Sequence, residues 1–132
     1  MVYEFEVTTR QNMEFVDITH KANEMVSKSG MENGVCFIFV PHTTAAVTIN
    51  ENADPDVVFD MLKELNKIVP IEDQYRHMEG NSAAHIKASL MGFSEQVIVH
   101  NRKLKLGTWQ GIYFAEFDGP RRRKVYVKVL KG

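Results

Sequence analysis

The last third of the chain carries four strand-like segments in succession, with no helical pattern between them. They are Gln96–His100, Lys103–Leu106, Gly111–Phe117 and Lys124–Leu130, punctuated by turn chemistry at Gly107 and at Gly119–Pro120. Strands are not regularly interleaved with helices, so a doubly wound, Rossmann-like parallel sheet is not expected. The expected class is α+β: a largely antiparallel β-sheet with helices packed on it.

The first two thirds supply those helices. Residues 2–8 alternate, with Tyr3, Phe5 and Val7 on one face, and read as a strand. Asp17 is placed to cap a helix that carries Ile18, Ala22, Met25 and Val26 on one stripe and stops at Gly30. Gly34 to Val40 is a continuous β-branched and aromatic run, which predicts a strand buried on both faces. Pro41 interrupts pairing, and a strand resumes from Thr44 to Ile49. Asp54–Pro55 opens a second helix, a capping side chain followed by proline in the first turn, with Val58, Met61, Leu62 and Leu65 as its apolar stripe. A polar stretch runs from about Glu72 to Gly80, and Ser82 to Leu90 is a short helix stopped by Gly92. The expected order is βαββααββββ.

The 132 residues fit one domain, 1–132, long enough to bury a core without disulfides. The single cysteine, Cys36, lies inside the 34–40 run as a small buried hydrophobe and suits a reducing cytosol. No signal-peptide layout is present, and no apolar run approaches the roughly 20 residues that span a bilayer. The net charge of −1 does not suit a general nucleic-acid binder. Charge is unevenly placed: five acids and one lysine occupy 51–64, and six basic groups with no acid occupy 119–132. Such asymmetry steers an anionic ligand or forms two solvated faces.

Four polar islands interrupt this framework. His42, Thr43 and Thr44 follow Pro41 and lead on to Asn50-Glu51-Asn52, as ligand-orienting groups at a strand junction or as threonines chosen for strand propensity. His77 and His85 are eight residues apart, with Glu79, Gly80, Asn81 and Ser82 between them. A helix starting near Asn81 or Ser82 points its free N–H groups at the loop carrying His77 and Glu79, and brings His77 and His85 within reach of each other. Imidazoles with a carboxylate suit zinc or a similar divalent ion, although the spacing matches no standard zinc signature. The plainer alternative is a capped helix with a core histidine. Trp109 and Gln110, framed by Gly107 and Gly111, either stack on a planar heterocycle or pack at a core or subunit boundary. Arg121, Arg122 and Arg123 follow Asp118-Gly119-Pro120; in a strand, Arg121 and Arg123 point one way and Arg122 the other. They serve an anion site or solubilise a sheet edge.

Taken in order, His42-Thr43-Thr44-Ala45-Ala46 with Asn50 to Asp54, His77 through His85, Leu106 to Gly111, and Asp118-Gly119-Pro120-Arg121 resemble the YjbQ family, also described as secondary thiamine-phosphate synthases. The resemblance spans nearly the whole chain, from Asp17-Ile18-Thr19 to the last strand. It implies a small α+β fold assembled as a homotrimer, and a pocket of clustered histidines in which His42, His77 and His85 are candidate ligands for a divalent metal, Zn or Mg. The implied reaction joins an aminopyrimidine methyl diphosphate to a thiazole phosphate, giving thiamine phosphate and pyrophosphate.

Loss of pyrophosphate needs charge stabilisation on the leaving group, which cationic side chains, a helix N-terminus or a divalent metal supply. On that chemistry the catalytic candidates are His42, Glu51, Glu79 and His85. The substrate-binding candidates are Thr43, Thr44, Asn81, Ser82, Trp109, Gln110 and Arg121. The expectation is a small cytosolic enzyme acting on a phosphorylated heterocycle, with no nucleic-acid or membrane partner. Metal-assisted hydrolysis of a phosphate ester and non-enzymatic sensing of an anionic metabolite are the alternatives.

Overall fold

The computed structural model describes residues 1–132. Its elements are β1 (Tyr3–Thr8), β2 (Glu14–Asp17), α1 (Thr19–Ser29), β3 (Gly34–Phe39), β4 (Ala45–Glu51), α2 (Pro55–Ile68), α3 (Ser82–Met91), β5 (Ser94–His100), β6 (Lys103–Leu104), β7 (Gln110–Glu116) and β8 (Arg122–Lys131). Every strand pair is antiparallel. The strands divide into two sheets, ordered β1-β8-β3-β5-β6 and β2-β7-β4.

The main core lies between the sheets. Phe5, Cys36, Ile38, Val97, Val125 and Val127 from the larger sheet meet Val47, Ile112 and Phe114 from the smaller, and α1 closes it with Ala22, Met25 and Val26. A second, smaller core lies on the other face of the three-stranded sheet. There Ala46, Ala115 and Phe117 meet Ala84 and Ala88 of α3, with Leu65 of α2 against them. Alanines on both sides let the helix approach the sheet closely, and three layers result.

This layering relocates the strand buried on both faces. In β3, Val35 is half-buried and Phe37 and Phe39 are exposed, so the 34–40 run buries one face only. The doubly buried strand is β7, where Gly111 to Glu116 are all buried. β7 is central in its sheet, with the other sheet on one side and α3 on the other; β3 has a packed layer on one side alone. Apolar composition marks both strands, and only the layers distinguish them.

Other departures are local. β2 is absent from the expected order because it is four residues long and carries acids at both ends. Asp17 ends that strand instead of occupying the cap position; Ile18 does so, yet Asp17 Oδ1 still accepts from Thr19 N and Thr19 Oγ1 at 2.9 and 2.6 Å. The strand expected at 103–106 shortens to Lys103–Leu104. Asp54 caps α2 as expected, accepting from Asp56 N at 2.9 Å. Gly30 ends α1 at φ +68°. No residue of α2 is fully buried, so that helix covers the sheet only partially.

Gly34 is required for a packing reason: a Cβ there would stand 1.9 Å from the Leu130 carbonyl oxygen on β8. Gly119, in the turn between β7 and β8, is equally confined by Gln11 O at 2.4 Å and Thr9 Oγ1 at 2.8 Å. The Gly119–Pro120 bond of that turn is cis.

Candidate functional site

At one end of the sandwich the chain passes between the sheets twice. Residues 40–44 leave β3 for β4, and residues 117–121 leave β7 for β8. The β7–β8 crossing is tied by a buried ion pair. Glu116 ends β7 with no exposed surface, and Arg123 in β8 is 2% exposed. Arg123 Nε donates to Glu116 Oε1 at 2.9 Å, and Nη2 donates to Oε2. Nη2 also reaches Thr44 Oγ1 at 2.9 Å, while Thr9 Oγ1 donates to Glu116 Oε1 at 2.8 Å. Burial alone would raise the Glu116 carboxyl. The hydrogen bonds from Arg123, Thr9 and the Asp118 N–H, with the Arg123 charge, outweigh it and hold Glu116 below the usual carboxylate range.

Above this knot lies a cavity of about 480 Å³. The first island contributes Pro41, His42, Thr43 and Thr44; the second contributes His77, Glu79, Asn81 and His85; the fourth contributes Asp118 and Arg121, joined by Arg123. Three segments far apart in sequence thus meet at one wall-to-wall polar surface. Arg121 lies in the turn just before β8 and Arg123 within the strand; both line the cavity, whereas Arg122 is exposed and does not.

Each group has a defined state. His42 Nε2 accepts from the Lys124 N–H at 2.9 Å, so the neutral ring carries its proton on Nδ1. Burial and the Arg123 charge lower the His42 pKa, which keeps it neutral. His77 and His85 stand with ring centroids 5.4 Å apart at 67°, the convergence expected from a loop facing the first turn of α3. Arg121 is anchored by Asp118, through Nε to the carbonyl and Nη2 to Oδ2, both at 2.9 Å. Asn81 occupies the cap position of α3 without capping it; its Nδ2 donates to Asp118 Oδ2 at 2.9 Å. The N–H groups of Ser82 and Ala83 therefore remain free at the positive end of the helix dipole.

Ser82 itself lies beside the cavity, in an adjoining groove of about 420 Å³ that shares His77 and His85 and adds Tyr75, Arg76 and Ile86. Glu51, Trp109 and Gln110 lie elsewhere. Thr44 immediately precedes β4 and Glu51 ends it, which places them roughly 20 Å apart at about 3.3 Å per residue. Trp109 is 63% exposed in the turn before β7, and Gln110 Oε1 accepts from Gly107 N at 2.8 Å within that turn. Within one chain these three do not reach the cavity.

The histidines do not gather as a ready metal cage. No three His, Cys, Asp or Glu side chains converge on one point, and the Nε2 lone pair of His42 is already occupied by Lys124. The donors that line the cavity fit an anion better: two guanidinium groups, a neutral imidazole N–H and the threonine hydroxyls. Asp118, Glu116 and Thr9 had no assigned role in the sequence. The signal for Glu116 was present: a carboxylate inside an otherwise apolar strand must be paired if that strand is buried.

Comparison with known proteins places this site in a family. The YjbQ family, described as UPF0047 protein YjbQ-like, matches residues 3–132. The chain is 50% identical over 131 residues to the UPF0047 protein YugU of Bacillus subtilis, covering 98% of this chain and 99% of that protein. It is 49% identical over 130 residues to a UPF0047 protein of Methanocaldococcus jannaschii, covering 98% and 94%. Among solved structures, an uncharacterised YjbQ/UPF0047 protein from Clostridium acetobutylicum superposes with a TM-score of 0.95 at 57% identity, covering 97% of this chain and 99% of that one. A YbjQ-like protein of unknown function from Sulfolobus solfataricus does so with a TM-score of 0.95 at 35% identity, covering 100% and 97%. The matches run the length of the chain through all three walls of the cavity, and the protein belongs to the YjbQ/UPF0047 family.

Proposed function

We propose that this chain is a small cytosolic enzyme that binds a phosphorylated heterocyclic compound, its phosphate in the polar cavity and its organic part in the adjoining groove. The observation that carries the reading is the pairing of the two spaces. One is lined by Arg121, Arg123 and Asn81; the other offers Tyr75 and Ile86, with His77 and His85 as the shared wall. Charged and apolar halves side by side suit a molecule with a charged and a planar half.

The reaction proposed is the one the family resemblance suggests, condensation of an aminopyrimidine methyl diphosphate with a thiazole phosphate. The residues have work to do in it. Arg121 and Arg123 would stabilise charge on the departing pyrophosphate. His85, which forms the shared wall together with His77, would serve proton transfer between the halves. Magnesium enters with the diphosphate substrate, which suits an oxygen-seeking ion better than imidazoles do.

Purified protein given both phosphorylated precursors and Mg²⁺ is expected to form thiamine phosphate. The signal should fall by about 10²-fold or more in His85→Ala, the usual weight of a general acid–base group. Product no greater than in that variant would sink the proposed reaction.

We also propose a homotrimer. No helix is long and apolar enough to cross a membrane, yet the outer face of the five-stranded sheet exposes Phe37, Phe39, Ile98 and Leu130, with Ile98 and Leu130 paired to Val35 from both sides. Burying such a patch stabilises an assembly, and a neighbouring chain could bring Glu51, Trp109 and Gln110 to the groove. Sedimentation equilibrium should return three times the 15.1 kDa chain mass; a monomer at micromolar concentration would refute it.

A further inference from the structure

The cavity is rich in donors, yet two unpartnered acceptors stand among them. The bond from Asn81 Nδ2 to Asp118 Oδ2 fixes the amide, because the reversed amide would set oxygen against oxygen. Asn81 Oδ1 is thereby enclosed with no donor anywhere in the chain. Enclosed side-chain oxygens are nearly always satisfied, so this one calls for a donor from outside the protein. Asp118 adds a second acceptor of a different kind: Oδ2 receives Asn81 and Arg121, while Oδ1 receives nothing within the chain and, unlike the amide oxygen, is not enclosed. Both residues line the cavity beside Arg121 and Arg123.

We infer that Asn81 and Asp118 make this site selective for an oxyanion that carries its own hydroxyl hydrogen, a phosphate or protonated phosphate ester, over one with only bare oxygens, such as sulfate. The inference rests on the anion-binding reading above and adds the discrimination. Arg121 and Arg123 take the bare oxygens, and the P–OH points at the Asn81 and Asp118 acceptors. Sulfate placed in the same way turns a bare oxygen toward a carboxylate and an amide oxygen, with no hydrogen between them. The flanking His42 Nδ1–H and Thr43 hydroxyl serve either anion and do not discriminate.

Isothermal titration of the wild-type protein with inorganic phosphate and with sulfate, at pH 7 and matched ionic strength, tests this. Phosphate is expected to bind about tenfold to a hundredfold more tightly, the loss typical of an acceptor left without a donor. Asp118→Asn supplies an amide donor in place of a carboxylate oxygen and should narrow the ratio by strengthening sulfate. Where that variant does not fold, Asn81→Ala should narrow it by removing the enclosed acceptor. Equal binding of both anions by the wild-type protein overturns this inference and leaves the anion site standing; binding of neither overturns both.

Discussion

Glu116→Gln should lower the free energy of unfolding by about 3–5 kcal/mol, the usual cost of leaving a buried charge without its partner. Arg123 would keep its charge, 2% exposed, with an amide where a carboxylate had accepted two hydrogen bonds. The loss should reach beyond local packing. Glu116 belongs to the three-stranded sheet and Arg123 to the five-stranded one, so the pair ties the two layers beneath the cavity. Replacing both partners with apolar residues of similar volume should recover most of the stability, as it does for other buried pairs. Denaturant unfolding of the single and double variants measures both statements; a single variant within about 1 kcal/mol of wild type would show the pair to be dispensable. The same carboxylate sets an acid limit. The fold holds Glu116 below its unfolded value of about 4.3, so its contribution is present above that pH and lost as pH falls through the lower folded value. In Glu116→Gln that part of the acid dependence should disappear, leaving a flatter stability profile below about pH 4.

Arg121→Ala should behave in the opposite way, losing ligand rather than fold. Its side chain is 49% exposed and held only by Asp118, so stability should change by less than about 1 kcal/mol. Binding of pyrophosphate should weaken by about tenfold to a hundredfold, since a guanidinium bond to an anion is charge-assisted. Arg122→Ala is the internal comparison. It removes the same charge from the next position, on the face away from the cavity, and should leave binding nearly unchanged at physiological salt. Equal losses in the two variants would mean that overall charge, not the cavity, attracts the anion.

Which arginines face the cavity was not legible from the sequence, but that Arg122 and Arg123 face opposite ways was, because strand alternation is a property of the backbone and needs no partner. The same holds for Asp54–Pro55 at the start of α2, Gly30 at the end of α1, and the approach of His77 to His85 across a helix start. An antiparallel arrangement was legible because no helices alternate with the last strands, although only β5 and β6 of these pair with each other and β7 lies in a different sheet from β6 and β8. Each signal acts over a few residues, and the chain carries it whatever surrounds it.

The tertiary structure alone decided which apolar strand is buried on both faces. Gly34–Phe39 is the more continuously apolar run, but only Gln110–Glu116 lies between two layers. It also decided which islands meet. His42, His85 and Arg121 share one end of the sandwich, whereas Glu51 and Trp109 were carried to the far end by the length of β4. The pairing of Glu116 with Arg123, and the redirection of Asn81 from helix cap to Asp118, depend on contacts across the β7–β8 crossing and with α3. The sequence by itself determined the elements, their antiparallel sense and the residue types available for chemistry. Burial, and therefore charge state and the choice of partners at the site, came only with the stacking of layers, because desolvation is a property of what lies above and below a residue and not of its neighbours in the chain.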